Sequence, residues 1–115
     1  MKENILLDKA TNFAVNITMV AKDLNQGTIN AIFVNQIVRS SSSVMSNISE
    51  AVFASSKRDM LNKLKISLKE ANETKHWLIL MKRSLFLPEK EYKELLPQCE
   101  EIIKMLVSSC KTLSI

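Results

Sequence analysis

Glycine is nearly absent from this chain of 115 residues: Gly27 stands alone, where average usage of about 7% would place about eight. Proline occurs only at Pro88 and Pro97, and aromatic side chains number six. Sheet folds use glycine at hairpins and bulges, and phosphate-cradling loops need it for close backbone approach. One glycine excludes a Gly-rich nucleotide loop and leaves few tight turns, so the composition points to long helices with short connections. At 46% hydrophobic and 24% charged, the balance is globular rather than disordered. The length suits one domain over residues 1–115, with no room for a second core.

No run reaches the 18 or more apolar residues that a membrane span needs. The stretch Met1-Lys2-Glu3-Asn4-Ile5-Leu6-Leu7-Asp8 places Glu3 and Asp8 where a signal peptide would be continuously apolar. A cytoplasmic protein with no membrane association is expected. Cys99 and Cys110 lie eleven positions apart in one helical pattern, about 16 Å along the axis. They cannot bridge there, and they read as small buried hydrophobes in a reducing compartment. With a single histidine, they do not make a metal ligand set either.

Charge is unevenly placed. Residues 1–56 balance four basic against four acidic groups, and residues 88–115 carry four basic against five acidic. Residues 57–87 hold eight basic side chains against three acidic, so the surplus behind the net charge of +4 sits in one segment.

Four helical periods follow one another. From Ile5 to Leu24, the residues Leu6, Ala10, Phe13, Ile17, Ala21 and Leu24 recur at three- and four-residue steps. Asn25-Gln26-Gly27-Thr28 closes this helix, with Gly27 expected as its left-handed C-terminal residue. The second segment, Ile29 to Ser55, carries only Arg39 and Glu50 as charges. Its apolar residues cover more than one stripe, which predicts a second buried face against another subunit. Ser40-Ser41-Ser42-Ser43 could interrupt it, but Ile37, Val44, Ile48 and Ala51 keep helical phase across the run and favour continuity. The third segment, Lys57 to Leu85, opens on Ser56-Lys57-Arg58-Asp59, close to a capping box. Leu61, Leu64, Leu68, Ala71, Leu78 and Leu85 form its core stripe. Pro88 suits the first position of the fourth helix, with Glu89 and Glu91 complementing its dipole. Tyr92, Leu95, Cys99, Ile102, Leu106, Cys110 and Leu113 share one face there, and Pro97 should kink or divide the helix. Three short connections make an all-α, antiparallel up-down-up-down four-helix bundle the simplest architecture.

On the third helix, Arg58, Asn62, Lys65, Lys69, Asn72, His76 and Arg83 fall within about 40° of one direction. The stripe runs about 37 Å along the axis and points away from the core. Cations and amides along a line suit a phosphate backbone, by counterion release and hydrogen bonding to phosphate oxygens. The plainer alternative is a solvated lysine-rich face. Ile66, Trp77 and Leu80 lie off the core stripe. Packing is the ordinary role of such a Trp, and base stacking the alternative. Glu73-Thr74-Lys75-His76 has the Glu-x-x-His spacing of di-iron bundles, but one such pair facing outward does not make that centre. The serines have no second histidine or glycine elbow to serve nucleophilic catalysis.

Ile37-Val38-Arg39-Ser40-Ser41-Ser42-Ser43 followed by Asn47-Ile48-Ser49-Glu50-Ala51 resembles a family's R-S-x-x-S-x-x-x-N-I-x-E-A signature. Ser56 to Met60, Lys63 to Thr74 and His76-Trp77-Leu78 continue the likeness. The chain is similar over essentially its full length to small bacterial four-helix-bundle proteins encoded in intervening sequences of 23S ribosomal RNA genes. The resemblance implies an antiparallel bundle that assembles into a cyclic homo-oligomer, a pentamer. It also implies kinship with the accessory variability proteins of diversity-generating retroelements, basic rings that bind nucleic acid and a reverse transcriptase. The serine run departs from the commoner S-[AG]-T-S-I-G pattern, and +4 is a modest charge for such a ring.

Two readings of function remain open. The first is a non-enzymatic, cofactor-free homo-oligomer that binds RNA or DNA through the seven-residue stripe. The second is a protein-only scaffold, in which Glu50 is a buried specificity residue paired to a lysine of the third helix.

Overall fold

A computed structural model of the chain describes residues 2–24 and 27–114. Four helices, α1 (Lys2–Leu24), α2 (Thr28–Val52), α3 (Lys57–Arg83) and α4 (Glu89–Leu113), follow in order. Each packs against the next and α4 returns to α1, which closes a bundle of 45 × 21 × 18 Å. This is the up-down-up-down arrangement that the four apolar periods predict. Leu6, Phe13 and Ile17 of α1 meet Val44 and Ile48 of α2, Leu64 and Leu78 of α3, and Ile102 and Leu106 of α4 in one core, all essentially sealed from solvent.

Helix α2 runs unbroken through the four serines. Isolated serines favour loops because their hydroxyls compete for backbone groups. Here the Ser40 and Ser41 hydroxyls donate back to the carbonyls of Ile37 and Val38, each at 3.3 Å, so the helix absorbs that competition. Both serines are fully buried, and their small size lets α3 approach closely. The helix ends at Val52 rather than Ser55, with Phe53 as its C-cap.

A polar seam joins α2 to α3. Ser67 Oγ donates to Val44 O at 2.8 Å, and the Thr74 hydroxyl reaches both Ser40 Oγ and Glu70 O at 2.8 Å. Arg39 closes the seam at the surface. Its Nη1 donates to Glu70 at 3.0 Å, its Nη2 to Glu73, and its Nε to Gln36 at 3.2 Å. Trp77 Nε1 donates to the same Glu73 oxygen at 3.0 Å, and its ring lies 6.2 Å from Phe33, which meets Phe86 edge-on at 5.0 Å. Trp77 is therefore a packing residue of the α2–α3 edge.

Several chain-local expectations are corrected. Gly27 has the positive φ foreseen for it (φ 86°), but ψ is 168°, the extended mirror region open essentially only to glycine. It begins α2, its carbonyl accepting from Ala31 N–H at 3.1 Å, and does not end α1 in the left-handed helical well. The expected closing residues Asn25 and Gln26 lie outside the described residues. Leu85, assigned to the core stripe, is 91% exposed at φ 66°. It occupies the left-handed position after α3: Phe86 N–H donates to Met81 O at 2.9 Å and Leu85 N–H to Lys82 O at 3.1 Å. That pairing is a Schellman motif with leucine where glycine is usual. Leu87, only 3% exposed, turns into the core instead. Pro88 is the N-cap of α4 rather than its first residue, and α4 continues through Pro97 undivided. Both Pro97 and Lys93 are exposed, so water can take the carbonyl that loses its amide partner. At the other cap, Ser56 accepts from Asp59 N–H at 3.0 Å as the capping pattern requires.

Both cysteines are free and buried. Cys99 Sγ donates to Ala71 O at 3.3 Å, and burial pushes this thiol up to about 12 against the opposing pull of Lys75.

Two outcomes test this description. Leu85→Gly relieves a left-handed leucine that buries almost nothing, and raises stability by about 1 kcal/mol in urea unfolding. The Cys99 thiol titrates near 9 in the unfolded chain and near 12 in the fold, so its contribution to stability is full below 9 and lost as pH rises toward 12. Cys99→Ala should therefore show a shallower decline in urea midpoint than the parent protein from about pH 8 to about pH 11.

Candidate nucleic-acid interface

The outer face of α3 is set by what its inner faces must do. Ser67, Glu70 and Thr74 engage α2, and Leu64, Ala71 and Leu78 fill the core, so residues about half a turn away have only water to face. Arg58, Asn62, Lys65, Lys69, Asn72, His76 and Arg83 occupy that position, and all seven are exposed. The His76 imidazole donates from Nδ1 to Asn72 O at 2.9 Å, which ties the ring back along its own helix. Arg58, Asn62, Lys65, Lys69 and Asn72 form a continuous run over the first two-thirds of α3. Arg83 stands apart, about 21 Å beyond Lys69, with exposed Leu80 between.

Ion pairing divides the cations of this segment into two groups. Lys63 reaches Glu50 at 3.8 Å, Lys75 reaches Glu100 at 3.4 Å and Lys82 reaches Glu89 at 3.6 Å, so the flanks of α3 are neutralised by α2 and α4. Among the described residues, none of Arg58, Lys65, Lys69 and Arg83 pairs with a carboxylate. Charge left without a partner on one face projects its field outward, where a polyanion can supply the counter-charge. Glu50 does pair with a lysine of α3, but its side chain is 59% exposed, which corrects the expectation of a buried specificity residue.

Helix α4 adds cations that residue spacing along α3 alone does not reveal. Glu100, Lys104, Val107 and Lys111 recur at four, three and four residues, the spacing of one helix face. Glu100 points to Lys75 of α3, so Lys104 and Lys111 lie on the side of α4 bordering the basic stripe. Both are exposed, and neither pairs with a carboxylate among the described residues. Lys65 is close enough to Cys110 for its charge to lower that thiol, against the larger rise that burial imposes. Lys57, Arg58 and Leu61 share a shallow depression with Leu113 and Ser114 at the same end of the bundle. The signal in sequence was the i, i+4, i+7, i+11 series through Glu100, readable only once Glu100 has a partner.

Glu73 and His76 do not converge on a metal position. The carboxylate is taken up by Arg39 and Trp77, and the imidazole faces solvent on the outer stripe. Among the described residues no three His, Cys, Asp or Glu side chains come together as a ligand set, and no helix is long and apolar enough to cross a membrane.

Fold and surface together define an antiparallel four-helix bundle protein with a one-sided, unpaired basic face. The chain belongs to the family described as 23S rRNA-intervening sequence protein, which it matches over residues 2–108. It is similar to a protein of unknown function from the S23 ribosomal protein family of Bacteroides thetaiotaomicron VPI-5482, whose crystal structure was determined at 1.70 Å resolution. The two share 40% identity and superpose with a TM-score of 0.90, over 96% of this chain and 99% of that one. Among curated proteins none matches.

The exposed position of the Glu50–Lys63 pair has a measurable consequence. Glu50→Gln should change unfolding free energy by less than about 1 kcal/mol, the range of a surface pair, where a buried partner would cost several times that.

Proposed function

We propose that this protein is a non-enzymatic, cytoplasmic homo-oligomer, a cyclic pentamer, that binds RNA or DNA by its phosphate backbone through the outer face of α3. The observation that carries the reading is the sorting of charge. Lysines on the flanks of α3 have carboxylate partners, while Arg58, Lys65 and Lys69 stand together without one. Asn62 lies between Arg58 and Lys65, and Asn72 follows Lys69, as neutral donors to phosphate oxygens.

Self-association is supported by the apolar residues left at the surface. Val15 and Met19 of α1, 52% and 55% exposed, flank a groove completed by Ser42 and Met45 of α2. Ile29 and Ile32 of α2 and Leu80 of α3 are exposed as well. A groove on one side of the bundle and apolar residues exposed elsewhere suit a head-to-tail contact, which closes into a ring where the rotation permits. A ring of five multiplies the formal charge of +4 per chain to about +20, so that weak contacts add.

Light scattering should give a mass near five times the 13.0 kDa of the chain. Affinity for a structured RNA should fall by about 10³-fold between about 50 and 200 mM salt if about six phosphates are engaged. Lys65→Glu with Lys69→Glu should abolish that binding and leave the mass unchanged. A monomer in solution sinks the oligomer. Salt-independent RNA affinity, or full binding by the double variant, sinks the nucleic-acid role and favours a scaffold for another polypeptide.

A further inference from the structure

We infer that the nucleic acid is double-helical and that it lies across α3 and α4 together, one phosphate strand on each helix. This rests on the α3 reading above and narrows it. The first row of cations is Arg58, Lys65 and Lys69 of α3, and the second is Lys104 and Lys111 of α4, all exposed. Glu100 marks the side of α4 turned to α3, since its carboxylate meets Lys75 at 3.4 Å. Lys104 and Lys111 follow it by four and eleven residues, about 6 and 16 Å further along that same side.

Packed helices lie about 8–10 Å apart, so the two rows run side by side rather than in line. Side chains splayed outward from them span a distance comparable to a duplex groove, about 12 Å wide in B-form DNA. A single strand has one line of phosphates and would satisfy one row only.

The surface between the rows supports the same choice. On α4 it carries half-buried Ile103 and Val107, which fall between the core face and the line of Lys104 and Lys111. Unpaired bases are held on protein surfaces chiefly by stacking on rings. Helices α3 and α4 contribute two aromatic side chains, and neither lies there. Trp77 is held on the α2 side by Phe33 and Glu73, and Tyr92 sits under the Lys82 ammonium, 5.7 Å from its ring centre, at the far end of α4. The face offers charge to phosphates and no platform to a splayed base. A duplex, with its bases stacked inside, is the form that asks for nothing more.

The full chain in its native assembly would be titrated by fluorescence polarisation at about 150 mM salt with four labelled probes of equal length. These are an RNA duplex, a DNA duplex of the same sequence, an unstructured single-stranded RNA and a single-stranded DNA. At least one duplex should bind about ten-fold or more tighter than either single strand, and Lys104→Glu with Lys111→Glu should weaken that duplex by a similar factor. The two duplex arms separate RNA from DNA as the natural source of the backbone. Circular dichroism and the milder pair Lys104→Gln with Lys111→Gln guard against misfolding. Single strands binding as tightly as duplexes would overturn the inference. So would an α4 variant that binds normally while Lys65→Glu with Lys69→Glu does not, and in both cases the α3 reading survives. Failure of all four probes to bind overturns both.

Discussion

Hydroxyls buried between two helices must find acceptors, and at the α2–α3 seam they find them without leaving the backbone of their own pair. Ser67 donates to Val44 O and Ser41 to Val38 O, while Ser40 and Thr74, 2.8 Å apart, share their two protons among each other, Ile37 O and Glu70 O. Each such bond is worth only about 1 kcal/mol net, but leaving one unmade in the core costs more. Sliding or rotating α3 against α2 would break several together. The seam thereby fixes the azimuth of α3, and with it the direction in which Arg58, Lys65 and Lys69 point. Arg39 adds a charged clasp at the surface, shared between Glu70 and Glu73.

That constraint links the composition of α2 to the electrostatics of α3. A helix nearly free of charge, with four consecutive serines, can lie close to its neighbour because nothing long or strongly hydrated stands between them. Two of the three acids of α3 are spent on this contact, Glu70 and Glu73 both being turned to Arg39, while Asp59 sits in its first turn. Lysines on the two flanks of α3 meet Glu50 and Glu100. What remains uncompensated is the outward stripe, continued by Lys104 and Lys111 of α4. The basic face is thus a residue of the packing arithmetic, and its concentration at one end of the α3–α4 edge is a property of the folded bundle. Membership in the 23S rRNA-intervening sequence family, and the close superposition on an S23-family protein, agree with the bundle.

Much of the fold was readable from periodicity, since a helix records its buried side every three to four residues in its own sequence. Ile37, Val44, Ile48 and Ala51 kept phase across the serines, and the helix does run through them. Local spacing misleads where a neighbour decides the outcome. Leu85 continued the stripe of α3 by spacing, yet the chain must turn there to bury Leu87, and the left-handed residue that makes the turn is left outside. Pro97 reads as a break, but on the solvent side of α4 its missing amide leaves a carbonyl that water can reach. Gly27 stands out as the one glycine in the sequence, though its role at the start of α2 depends on where the second helix begins.

The amino-acid order alone determined four amphipathic helices, their sequence of connections, and which side of α3 would be basic, because each of these is a local relation along one helix. Only the tertiary structure decided which lysines keep their charge unpartnered, that Trp77 packs against Phe33, that Glu50 stays in solvent, and that Lys104 and Lys111 border the α3 stripe. Those facts depend on the rotation of one helix about its axis relative to another. No single helix's sequence contains that angle, and here it is set by hydrogen bonds and ion pairs between residues on different helices.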